Sequence, residues 1–165
     1  MTESSKILAY LKMQKNPVQD LKSDEDYFNW SKKCQKEANA FYNVSYRCID
    51  MMLSDNRNAF FTNVSFACEL YLKCLLLRQK IDCRKEHNIY KLFKKLPEEM
   101  QNEIKEAHPC GNISKNCFEQ EIDDLGQAFI VFRYMYERGN MAYNVQFLLE
   151  LIDTLHKYIN YNKAE

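Results

Sequence analysis

Glycine and proline are nearly missing, with three of each in 165 residues. A fold of many short strands needs such residues at its turns, so their scarcity argues against a strand-rich architecture and for long helices. Net charge is missing too, because 23 Lys and Arg balance 23 Asp and Glu. A domain that grips nucleic acid by its backbone alone carries a broad positive field, so any such contact here has to be a local patch. The seven cysteines, at 34, 48, 68, 74, 83, 110 and 117, include no Cys-x-x-Cys pair. Their odd number and their places in apolar helical runs predict buried free thiols in a reducing compartment rather than a disulfide framework. The start, Met1-Thr2-Glu3-Ser4-Ser5-Lys6, lacks a basic segment ahead of a long apolar one, and no stretch approaches about 18 apolar residues. The expectation is a cytoplasmic protein with no membrane contact.

What is present reads as helix. The length suits one domain with a real core, and we divide it into an N-terminal arm, 1–22, interrupted by Pro17, and a helical bundle, 23–165. Ser23 caps a helix whose first turn is acidic, Asp24-Glu25-Asp26, as the positive end of a helix dipole prefers. Tyr27, Ser31, Cys34, Ala38, Phe41, Ser45, Cys48 and Met52 recur at spacings of four and three, the seam of a helix reaching about Leu53. A second helix spans Asn58 to Gln79. A short one starts at Ile89, and another starts at Pro97 and closes at Pro109 and Gly111. Ser114 caps a third long helix running to Glu137 or Arg138 before Gly139-Asn140 stops it. Phe147, Leu148, Leu151, Ile152, Leu155 and Ile159 describe the last. The fold class is all-α, an up-and-down bundle of four long helices with short connecting helices.

Two of these apolar segments carry charge pairs. Glu69 and Lys73 lie within Phe66–Leu77, and Arg133 and Glu137 lie within Phe129–Glu137. Side chains at i and i+4 share a helix face, and charge among large hydrophobes has to be paired or hydrogen-bonded. These four residues are therefore the first candidates for function.

Phe66-Ala67-Cys68-Glu69-Leu70-Tyr71-Leu72-Lys73, then His87-Asn88-Ile89-Tyr90-Lys91-Leu92-Phe93, then Phe132-Arg133-Tyr134-Met135-Tyr136-Glu137, in that order and spacing, resemble the HEPN superfamily, the higher eukaryote and prokaryote nucleotide-binding helical domains. The resemblance covers roughly residues 25 to 160 and implies a four- or five-helix bundle that forms homodimers. Many such domains are metal-independent endoribonucleases of toxin–antitoxin and phage-defence systems, with an arginine and a following histidine from each protomer in a shared cleft. Arg133 matches that arginine, and Glu69 with Lys73 matches a Glu-x-x-x-Lys of the second helix. No histidine matches, because Glu137, Arg138, Gly139 and Asn140 stand there. Cleaving RNA without a metal requires a base, an acid and a cation for the developing charge. Arg133 supplies the cation, but Arg138 cannot move protons at neutral pH. Glu137 is a base only if burial raises its pKa, and a neighbouring arginine pulls it down.

Two functional classes stay open. One is a dimeric module that binds RNA, nucleotide or a protein partner, such as a cognate antitoxin or defence protein, without the usual catalysis. Its ligand-binding residues are Glu69, Lys73, Arg133, Tyr134, Arg138 and Asn140. The other is a metal-independent endoribonuclease with Arg133 and Glu137 as catalytic residues in a composite dimer site. Neither needs a cofactor or metal. Each charge pair also has a plain structural reading, an intrahelical ion pair that orients a bundle or dimer interface. His87 suits a local hydrogen bond to its turn, His108 an exposed position, and His156 a half-buried packing role. Cys83, His87, His108, Cys110 and Cys117 fall around one connection but lack the strong zinc spacings. Lys91, Lys94 and Lys95 read as a solvated face. Most aromatics follow helical periodicity and belong to the core, which leaves Tyr134, Tyr136 and Tyr143 near the expected cleft.

Overall fold

The computed structural model describes residues 21–50, 57–134 and 144–161, and within them eight helices and no strand. Helix α1 is Asp24–Arg47 and α2 is Arg57–Arg78. The short helices α3 (Ile89–Lys94), α4 (Glu98–Ala107) and α5 (Pro109–Ile113) follow. Then come α6 (Lys115–Asp124), α7 (Ala128–Arg133) and α8 (Val145–Tyr161). Residues 1–20 of the expected arm lie outside the described residues, and Leu21 packs against the core.

Ser23 caps α1 as its sequence predicts. Its hydroxyl accepts from the Asp26 amide at 3.1 Å and the Asp26 carboxylate accepts from the Ser23 amide at 3.0 Å, a reciprocal box. Bonds from the Lys22 and Ser23 amides hold the Asp26 carboxyl below its ordinary value. Along the predicted seam Ser31, Ala38 and Ser45 are buried, and their small side chains let α1 lie close along α2.

Helix α2 is the centre of the molecule. Every residue from Tyr71 to Leu77 is buried, as expected of a helix that is apolar all round and packed on all sides. Contrary to the sequence expectation, this 22-residue helix is long and apolar enough to cross a membrane, yet 78% of its apolar window is buried inside the fold. Its greasy surface is already covered by α1, α7 and α8. Helix α8 buries Phe147, Leu148, Leu151, Ile152, Leu155 and Ile159, the residues its periodicity picks out.

The third long helix is divided. α6 stops at Asp124, a turn through Leu125, Gly126 and Gln127 intervenes, and α7 ends at Arg133 with Tyr134 as its cap. Gly126 explains the break. Its carbonyl accepts from the Ile89 amide at 2.9 Å, and a Cβ there would lie 2.8 Å from the Asn88 side-chain nitrogen. The helix gives way so that the loop before α3 can come close.

Candidate functional site

Glu69 lies one turn before Lys73 on α2, and both are buried. One carboxylate oxygen, Oε1, takes the Lys73 ammonium at 2.8 Å and Nδ1 of His87 at 2.9 Å. Lys73 also donates to the Arg84 carbonyl at 3.3 Å, which ties the pair to the loop that carries His87. The other oxygen, Oε2, is buried with no hydrogen-bond partner among the described residues. A buried charge of this kind is held only because its neighbours compensate it.

The loop is fixed from several sides. The Glu86 carboxylate accepts from the His87 and Asn88 amides at 3.1 and 3.0 Å. Those bonds, the Asn88 one foremost, hold its carboxyl below the ordinary range. Asn88 caps α3 by accepting from the Lys91 amide at 2.9 Å, and Gly126 supplies the close approach behind it. As a result His87, whose side chain is 52% exposed, presents one edge of its ring to Glu69 and the other to solvent. A carboxylate only accepts, so Nδ1 carries the hydrogen and Nε2 is the nitrogen available to a ligand. The local turn bond expected of His87 is thus a bond to the buried Glu69, 18 residues earlier.

Arg133 has a different setting. It closes α7, whose Ala128, Val131 and Phe132 are buried. Phe129 stacks on Phe66 at 4.7 Å, and Phe132 lies 5.3 Å from Phe61. Arg133 itself is exposed, its guanidinium 5.5 Å from the ring centre of Tyr134, also exposed. The two ring pairs run in opposite senses along α2 and α7, which places Arg133 toward the α2 start. Glu69 lies eight residues past Phe61, about 12 Å along the axis. The structure therefore separates, within one protomer, the residues that the sequence grouped. Glu69 and Lys73 join His87 at one end, and Arg133 with Tyr134 lies toward the other. Glu137, Arg138 and Asn140, with Tyr136 and Tyr143, lie outside the described residues.

Other histidines depart from expectation or enrich it. His108, expected at the surface, is fully buried, because the rings of Phe147 and Phe118 enclose it at 4.5 and 5.2 Å. Burial lowers its pKa. His156 is half-buried as expected, stacked on Tyr42 at 3.8 Å and hydrogen-bonded to the Tyr71 hydroxyl at 2.7 Å. Among the described residues no group of three or more His, Cys, Asp or Glu is arranged to hold a metal ion. The Cys83 thiol contacts the Lys73 carbonyl, and Cys110 meets Cys117.

An all-helical bundle with a buried Glu–Lys pair on its central helix, a histidine loop above it and an arginine ending a later helix defines a class of small helical domains. A protein-family model, HEPN domain, matches residues 31–161, so this chain belongs to the HEPN family. That membership associates it with nucleotide- or RNA-related function. No curated protein and no solved structure matches the chain.

Proposed function

We propose that this chain is a homodimeric module that binds RNA or a nucleotide through Arg133 and serves bacterial defence or toxin–antitoxin regulation, without the usual catalysis of its family. The observation that carries this reading is the exposure of Arg133. A helix that buries its apolar residues ends by presenting a guanidinium beside the Tyr134 ring. A guanidinium grips phosphate with paired hydrogen bonds, and an aromatic face stacks a base. In a homodimer the partner's copy would double that charge, and Arg138 and Asn140, close in sequence, would add donors. A cognate antitoxin or defence protein is the expected protein partner.

Fluorescence anisotropy with labelled single-stranded RNA and with ATP tests the reading. Arg133→Ala is expected to weaken binding of one of them about 10-fold, the value of one charge-assisted contact. Equal affinity in wild type and variant would remove Arg133 from the site. Light scattering is expected to give a dimer at micromolar concentration, and a monomer would remove the shared cleft.

The second reading, a metal-independent endoribonuclease, has one specific observation in its favour. His87 is an exposed imidazole held at Nδ1 by a buried carboxylate, the arrangement that orients a general base. Since one protomer holds His87 and Arg133 apart, Arg133 and Glu137 would have to come from the second protomer of the dimer, and the set would then supply base, cation and carboxylate. RNA cleavage in EDTA that disappears in His87→Ala and in Arg133→Ala, with helical spectra unchanged, would select this reading over the first.

A further inference from the structure

Cysteines 110 and 117 stand seven residues apart, which on one continuous helix would separate them by two turns, about 10 Å. The chain instead breaks at Ser114, whose extended backbone (φ −156°, ψ 116°) ends α5 and caps α6. The Ser114 hydroxyl accepts from the Cys117 amide at 3.4 Å. His108 caps the preceding piece, its Nδ1 accepting from the Cys110 amide at 3.1 Å. The fold-back brings the two sulfurs to 2.9 Å, the Cys110 thiol donating to Cys117.

The platform under Cys110 is firmly seated. A Cβ on neighbouring Gly111 would lie 2.0 Å from the Lys105 carbonyl oxygen, so α5 is pressed onto the end of α4 as only glycine permits. His108, two residues before Cys110, is locked between Phe118 and Phe147. Cys117 is exposed and Cys110 half-buried, and both border a surface groove of about 300 Å³ that Asn144, Gln146 and Glu150 also line. Closing the gap to a disulfide takes less than about 1 Å of sulfur movement. By contrast Cys68, Cys74 and Cys83 are buried in the core.

We propose that Cys110 and Cys117 are a peroxide-sensitive pair that closes to an intramolecular disulfide. Cys117, the exposed member, attacks as its thiolate. Its sulfur takes one oxygen of a hydroperoxide, the O–O bond breaks, and the leaving oxygen departs protonated as water or an alcohol. The Cys110 sulfur then displaces that oxygen from the sulfenic acid as a second water, which carries off the Cys110 proton. Two thiols lose two electrons and two protons, and the peroxide is reduced by two electrons. The division of roles follows the surroundings. Burial, the bond to Cys117 and the carboxylates of Glu121 and Glu150 push the Cys110 thiol up to about 12, which suits the resolving position rather than the attacking one.

The test is peptide mapping of the full chain after hydrogen peroxide and alkylation without reductant. Lys115 lies between the two cysteines, so trypsin places them on separate peptides. The expected result is a linked pair of those peptides, a mass loss of about 2 Da for the two hydrogens removed, and reversal by dithiothreitol. Cys117→Ser is expected to abolish the link and Cys34→Ser to leave it intact. Full alkylation of both cysteines after peroxide, a link to a different cysteine, or terminal oxidation without any link would overturn the proposal. If Cys117→Ser does not fold, the wild-type map decides alone.

Discussion

Two segments of this chain share a sequence pattern, opposite charges four residues apart inside an apolar run, and Glu69 and Arg133 meet opposite fates. Glu69 and Lys73 are sealed into the centre of the bundle, where one carboxylate oxygen serves an ammonium and an imidazole together. Arg133 stands at the end of a six-residue helix and faces solvent beside Tyr134. Spacing fixes which side chains share a face. How many elements cover that face is decided elsewhere: α2 is enclosed by α1, α7 and α8, and α7 is a short outer piece. The buried set therefore supports the fold and orients His87, and Arg133 remains exposed beside Tyr134.

The largest effect is expected at Glu69. Glu69→Ala leaves the Lys73 charge buried without its counter-ion, and urea denaturation is expected to show a loss of about 3–5 kcal/mol. Glu69→Leu combined with Lys73→Met is expected to recover most of that, since an apolar pair of similar volume removes both charges together. A double variant as unstable as the single one would mean that the pair does more than balance itself.

Gly126→Ala comes next. The added Cβ meets Asn88 at 2.8 Å, and Asn88 is pinned as the α3 cap, so a cost of about 1–3 kcal/mol is expected in the same measurement. The His87 ring should also lose its fixed setting, read as a changed NMR chemical shift for that imidazole. Arg133→Ala is the contrasting case, expected to move stability by less than about 0.5 kcal/mol, as exposed substitutions do. A large loss there would show that the guanidinium is structural after all.

The smallest effect is on pH. Burial, the largest influence on His108, lowers its pKa in the fold, although the Phe147 carbonyl and Glu150 pull the other way. Burial lowers His156 too. The unfolded chain then binds protons more readily than the folded one as pH falls below about 6.5, so stability declines through that window. His108→Gln is expected to flatten the decline, measured by melting temperature against pH. A separate carboxylate step lies lower. Arg84 holds the Asp82 carboxyl down at about 2, so its contribution is present at pH values above the usual carboxylate range and is lost as pH falls toward 2.

Much of this architecture can be read without coordinates, for local reasons. The Ser23 cap, the small-residue seam of α1 and the apolar stripe of α8 depend on periodicity and on bonds spanning three or four residues. His108 is misplaced by such reading because its burial comes from Phe118 and Phe147, rings brought in from α6 and α8. The turn at Gly126 is equally hidden, since its reason is Asn88, 38 residues away in the chain. Even the cysteines are only partly legible: Cys68, Cys74 and Cys83 are buried as their runs suggest, and Cys117 is exposed.

Sequence alone settled that this chain is helical, which faces of its helices are apolar, and which family it resembles, because helix period and capping act within a few residues. Tertiary structure alone decided that Glu69 reaches His87, that Arg133 stays in water, and that the chain folds back at Ser114 to bring Cys110 to Cys117. Those outcomes depend on which elements cover which, and coverage is set by the sum of all contacts in the bundle.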